Sequence, residues 1–229
     1  RYYRAAGRIW VDAPPTTEKN AEFVRNAAAL AHAGILAPQV EAVDYTHGWL
    51  CVSDLGDCLL RSQLTDASVN DWYARAIDLL PTLARIALPL EAFDAAFMAR
   101  ENSIFPEWLL GHHLRLSLSA GERDLLQRTF ALLTEYNLAQ PQVTMHRDFH
   151  SRKRRGGGEG ARTQLAVIDF QDMVQGPLTY DLASLLKDCY VRWPAAVVEA
   201  GIARAWTGYQ SAGLLGGYSR DEFAAALHT

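Results

Sequence analysis

Two short stretches carry residue types that could do chemistry together. His146-Arg147-Asp148-Phe149-His150 follows a strand-like piece over 143–145, and Val167-Ile168-Asp169-Phe170-Gln171 closes a second apolar piece over 165–169. An acid at the end of each of two short strands, facing one cleft, suits phosphoryl transfer. One carboxylate accepts the proton of an attacking hydroxyl, and the other holds the magnesium that neutralises the phosphates. Asp148 fits the base and Asp169 the metal ligand. Taken alone, a His-Arg-Asp triplet is as readily a turn or an exposed salt-bridge site. The nearby Ile-Asp-Phe piece, and Gly176-Pro177 and Tyr180-Asp181-Leu182 beyond it, favour the chemical reading. Asp181 is read as structural, an acid in the first turn of a helix that hydrogen-bonds the catalytic loop rather than substrate.

These acids need elements to position them. The first third reads as strands around one helix, with strand-like pieces at 1–4 and 8–12. Thr16 or Thr17 is placed to cap a helix from about Glu18, with Phe23, Ala27, Leu30 and Ala31 on one face and Gly34 as its stop. Strands over 40–45 and 49–53 follow, joined at His47-Gly48. From 69 the pattern turns helical: Trp72, Tyr73, Ala76, Leu79, Leu80 and Leu83 fall near a 3.6-residue period. Further helices are predicted over 105–116, 120–136, 180–192 and 197–211. The run from Arg152 to Gly160, basic and then glycine-rich, has the composition of a mobile loop.

Composition excludes several classes. The 229 residues are 49% hydrophobic and 21% charged with a formal net charge of −4, ordinary for a globular protein and unsuited to a nucleic-acid platform or a polybasic membrane binder. No apolar run is long enough for a transmembrane helix, and no secretory leader pattern opens the chain. Cys51, Cys58 and Cys189 are scattered without CxxC spacing, so neither a disulfide framework nor a zinc site is expected, and a reducing cytoplasm is the simplest setting.

His146-Arg147-Asp148-Phe149-His150-Ser151-Arg152, then Val167 to Asp172, then Gly176-Pro177-Leu178-Thr179-Tyr180-Asp181-Leu182, resembles the aminoglycoside phosphotransferase and choline kinase superfamily. More narrowly it resembles the anomeric amino-sugar kinases of bacterial cell-wall recycling, which phosphorylate N-acetylmuramate and N-acetylglucosamine at the 1-position. Arg1-Tyr2-Tyr3-Arg4, Asp12-Ala13-Pro14-Pro15, Ser53-Asp54-Leu55-Gly56-Asp57 and Asp188-Cys189-Tyr190 add to it. The resemblance implies an α+β, bilobal, protein-kinase-like fold. A small antiparallel β lobe over 1–56, truncated at its start, would precede a larger, mostly helical lobe over 57–229, with ATP and Mg2+ between them. It implies that Ser53, Asp54 and Leu55 form the hinge at adenine, that Asp148 is the base and that Asp169 is the metal ligand. A helical insert between about Phe93 and Leu116 would help form the sugar pocket. Glu101, Trp108, Arg152, Gln171 and Asp172 are the candidates for substrate contact, and a small amino sugar is the expected partner. Aminoglycoside, choline or homoserine kinases are the nearest enzymatic alternatives, and a ligand-binding pseudokinase is the alternative from another class.

Three features depart from the family pattern. Lys153 stands where an Asn, the second metal ligand, is expected, and an ammonium group has donors only. None of the three lysines, Lys19, Lys153 and Lys187, lies on the strand that carries the usual kinase lysine, and Phe23 occupies the helix position that would pair with it. Phosphate contact would then fall to Arg4 or Arg1, whose guanidinium can bind phosphate in a forked geometry. The chain also begins without a glycine-rich phosphate loop and ends where relatives continue, so a fragment is expected. Gly156 to Gly160 lacks the strand–glycine–helix context of such a loop.

Overall fold

The computed structural model describes residues 1–151 and 164–228. Its first part is a four-stranded antiparallel sheet in the order β1-β2-β4-β3, built from β1 (Tyr2–Ala5), β2 (Arg8–Asp12), β3 (Val40–Asp44) and β4 (Trp49–Ser53). The β3–β4 connection closes at Gly48, whose φ of +73° places it in the left-handed region. Its amide donates to the Asp44 carbonyl (2.8 Å) and its carbonyl accepts from the Ala13 amide (2.8 Å). The turn is thereby tied to the end of β2, and Ala13 packs with Leu50 and Val52 beneath the sheet.

Helix α1 (Asn20–His32) crosses between this sheet and the rest of the chain. It starts later than the threonines suggest. Thr17 and Glu18 turn back onto the Pro14 carbonyl (3.1 and 3.0 Å), and the Thr17 hydroxyl donates to the same oxygen, so neither Thr16 nor Thr17 caps the helix. Lys19 occupies the N-cap position with no side-chain cap. Ala27 and Leu30 bury against the main core, as their spacing predicts.

The larger part is helical: α2 (Val69–Ala84), α3 (Ala95–Ile104), α4 (Ala120–Ala139), α5 (Tyr180–Leu186), α6 (Ala195–Ser211) and α7 (Arg220–His228). The helix predicted over 105–116 is a π-helical segment, Phe105–His113, continuous with α3. The helix predicted over 180–192 ends at Leu186. One strand expectation is wrong. The segment over 165–169 is not a strand, Leu165 alone being a bridge residue, and β5 (Gln142–Met145) pairs with β6 (Val174–Pro177), antiparallel, with Met145 opposite Val174. Leu165, Ala166 and Val167 are buried, which accounts for their apolar character. A small antiparallel β lobe on a larger helical lobe is nevertheless the architecture that the sequence implies. Among the described residues no helix is long and apolar enough to cross a membrane, and the cysteines are free.

Candidate active site

The catalytic-loop candidate begins where β5 ends. His146 is fully buried, and its backbone amide donates to Asp181 Oδ2 (2.7 Å) while the Arg147 amide donates to Asp181 Oδ1 (3.0 Å). Asp181 lies in the first turn of α5 and is itself buried, so a single carboxylate fixes two successive amides. This is the structural role expected of it. The clamp also offsets backbone strain, because Arg147 adopts φ +77°, costly for a residue with a side chain.

The His146 ring then sews the two acid-bearing segments together. The Asp148 amide donates to Nδ1 (3.3 Å), which leaves Nε2 protonated and donating to the Ile168 carbonyl (2.9 Å). Asp169 follows directly, in the left-handed region at φ +62°. Asp148 and Asp169 thus rise, both exposed, from two loops joined by one imidazole. Downstream, Asp188 accepts from the amides of Ser151 (2.9 Å) and Tyr190 (2.8 Å), so a second buried carboxylate holds the loop's far end.

Beside these loops lies a cleft of about 490 Å³, within the usual range for a small-molecule site. Of the predicted residues, Arg4, Ser53, Leu55, Asp169 and Gln171 line it, whereas Asp148 and Asp54 do not. Asp54 turns to Arg4, which it meets at 2.6 Å, and Arg4 also meets Asp57 at 2.5 Å. The Arg4 guanidinium, then the Gly56 amide, hold the Asp54 carboxyl below the usual carboxylate range. Arg4 is therefore in the cleft but already bracketed by two carboxylates. Ser53 binds residue 39 at both ends: its amide donates to the Gln39 carbonyl and its hydroxyl accepts from the Gln39 amide, each at 2.9 Å.

The insert reaches the catalytic loop through Glu101. Its carboxylate lies 3.3 Å from the Arg147 guanidinium, which stacks over Phe97 at 5.0 Å. Tyr180 sits in the same neighbourhood; burial pushes its hydroxyl above the usual range, and Arg147 opposes that shift. Trp108 is elsewhere, 57% exposed and packed on His112 within the π-helical segment. Asp172 pairs with Lys19 at 2.7 Å. Arg152, Lys153 and the glycine-rich run to Gly160 lie outside the described residues.

Sequence reasoning missed two contacts of α1, one from Phe23, which lines the cleft, and one from Asn26, which is buried and does not. The buried Asn26 donates from Nδ2 to the Phe170 carbonyl (2.7 Å), and Phe23 stacks on Phe170 with ring centroids 4.7 Å apart. Together they dock α1 on the Asp169 segment. Phe23 at the expected acid position was the available signal: an aromatic there asks for an aromatic partner.

A model of the phosphotransferase enzyme family matches residues 6–215. An N-acetylmuramate/N-acetylglucosamine kinase of Pseudomonas putida is 36% identical over 220 residues, covering 93% of this chain and 64% of the relative. Its counterpart of Pseudomonas aeruginosa is 34% identical over 212 residues, covering 90% and 62%. The chain thus spans somewhat under two thirds of the length of these relatives. Among solved structures, an aminoglycoside-3'-phosphotransferase of type VIII superposes with a TM-score of 0.63 at 17% identity, covering 99% of this chain and 86% of that one. An ethanolamine kinase of Plasmodium vivax gives 0.67 at 13% identity, covering 99% and 71%. At such identities these two structures speak to fold alone.

Proposed function

This chain belongs to the phosphotransferase enzyme family, and from that premise we propose that it transfers the terminal phosphoryl group of ATP to the anomeric hydroxyl of an N-acetylated amino sugar, N-acetylmuramate or N-acetylglucosamine. The lobes divide after Gly56, and ATP occupies the cleft with adenine towards Ser53 and Leu55. The reaction belongs to the recycling of cell-wall sugars in the cytoplasm, with a small sugar as partner and neither nucleic acid nor membrane involved.

One observation carries the mechanism: the His146 ring joins the loop of Asp148 to the segment of Asp169. The sugar hydroxyl oxygen attacks the terminal phosphorus, its proton passes to Asp148, and the bond to the ADP oxygen breaks. Asp181 and His146 keep Asp148 where the hydroxyl arrives. Glu101, held by Arg147, and Gln171 and Asp172 orient the acceptor. The donor set fits magnesium, which takes oxygen ligands and needs few protein carboxylates when phosphates supply the rest. Asp169, which lines the cleft at the end of its segment, would hold it. When bound, the ion neutralises phosphate charge.

An ADP-release assay over a panel of N-acetylmuramate, N-acetylglucosamine, an aminoglycoside and choline tests the proposal. Release that depends on either amino sugar, with neither other acceptor supporting it, is expected. Release with the aminoglycoside or choline alone would overturn the acceptor, and ATP binding without release to any of the four would favour a ligand-binding role.

A further inference from the structure

We propose that Lys19, at the N-cap of α1, is the side chain that meets the nucleotide phosphates, taking over from a strand position that has no lysine. The inference rests on the kinase reading above and adds a residue to it. Lys19 lines the same cleft as Ser53, Leu55 and Asp169. Its place beside Asp169 is fixed at three points along α1. Asn26 donates to the Phe170 carbonyl at 2.7 Å, Phe23 stacks on the Phe170 ring at 4.7 Å, and the Lys19 ammonium lies 2.7 Å from Asp172. Helix α1 is thus docked on the residue immediately after the proposed metal ligand, and the ammonium at its N-cap pairs with Asp172, three residues along the chain from that ligand.

The other cationic side chain lining the cleft among the described residues is Arg4, the candidate favoured by the sequence. Arg4 is engaged by Asp54 at 2.6 Å and by Asp57 at 2.5 Å, so two carboxylates already offset its single charge. Lys19 pairs with the single carboxylate of Asp172, and that pair is open to water, the two side chains being 54% and 35% exposed. An exposed pair of this kind is weakly held. A triphosphate, with more charge than one carboxylate, takes such an ammonium readily, and lysine suits a phosphate as a compact point charge. A lysine at an N-cap also sets its charge against the positive end of the helix macrodipole, a placement that helix stability alone does not favour.

The test is isothermal titration of wild type, Lys19→Met and Lys19→Arg with ATP, ADP and adenosine, with thermal melts to check folding. Lys19 is exposed, so both variants are expected to fold. Losing a charged phosphate contact should weaken ATP and ADP by about tenfold or more in Lys19→Met. Adenosine, which has no phosphate, should stay within about twofold, and Lys19→Arg should recover ATP to within about threefold. Unchanged ATP affinity in Lys19→Met overturns the Lys19 assignment and leaves the kinase reading standing. An equal loss for adenosine and ATP also overturns it, because that is the mark of a structural role. Wild type that binds neither ATP nor adenosine overturns the kinase reading and this assignment together.

Discussion

A proton acceptor has to be held still without being neutralised, and the surroundings of Asp148 meet both needs. Its backbone is fixed through the His146 ring, while its carboxylate stays exposed. In the proposed reaction Asp148→Asn keeps the loop but cannot take the proton. General-base groups contribute roughly 10²–10⁴-fold, so kcat should fall by at least about 10², with the KM for ATP within about threefold. Steady-state ADP release measures both. Asp181 acts one step removed. An Asn there has one acceptor oxygen for two buried amides and turns an NH2 toward the other. Asp181→Asn should therefore cost about 1–3 kcal/mol of stability and lower activity, and a denaturant melt compared with Asp148→Asn separates the two effects. Residue roles of this kind were half legible. Asp181 could be read because an acid in the first turn of a helix is available to nearby amides. Lys19 could not, because its reach into the cleft depends on how α1 docks, and no local pattern encodes that. Arg4 was legible as a cleft residue, but its two carboxylate partners come from 50 and 53 positions away.

At the scale of elements, local signals succeeded where one segment closes on its neighbour. The strands meeting at Gly48 are an example, and the glycine there has a physical reason. A Cβ at Gly48 would stand 2.0 Å from the Ala13 carbonyl oxygen, a backbone atom that cannot step aside, at a φ that side chains disfavour. Gly48→Ala should destabilise the protein by at least about 2 kcal/mol, combining a left-handed penalty of about 1 kcal/mol with overpacking of about 1–3 kcal/mol. A lower thermal midpoint is the readout, and an unchanged one would mean that the turn refolds. Local signals failed at β6. A Gly-Pro pair carries no strand signal, yet Gly176 lies opposite Val143 and a Cβ there would meet Met145 Sδ at 2.5 Å. The glycine serves close packing rather than a bend, and a terminal proline is tolerated in a short strand. Helix α1 adds a prediction of its own. Asn26→Leu fills similar space but leaves the buried Phe170 carbonyl without its 2.7 Å donor, which should cost about 1–3 kcal/mol. Because Phe170 follows Asp169, nucleotide affinity should fall as well, a loss that titration with ATP would detect.

At the scale of the whole molecule, the cleft belongs to neither lobe alone. Its lining runs from Tyr2 and Ser53 in the sheet, through Lys19 and Phe23 at the start of α1, to Ile168, Asp169 and Gln171 in the helical lobe. The lobes are also bonded directly, the Val167 amide donating to the Leu36 carbonyl at 2.8 Å and Asn26 holding Phe170. A ligand that spans such a cleft binds only when both lobes are folded and docked, so it stabilises the native state by RT ln(1 + [L]/Kd), about 2.7 kcal/mol at a hundredfold excess over Kd. For a chain of this size each kcal/mol moves the thermal midpoint by about 2–4 °C. ATP with magnesium at that excess should therefore raise the midpoint by roughly 5–10 °C, and ATP with a chelator by less. The difference should vanish in Asp169→Asn, which has a single oxygen with no charge to offer a hard cation. It should persist in Asp148→Asn, whose carboxylate is assigned to the sugar hydroxyl. Melting curves of the three proteins, each with and without the metal, separate the assignments. A metal-dependent shift that survives in Asp169→Asn but disappears in Asp148→Asn would exchange the two roles.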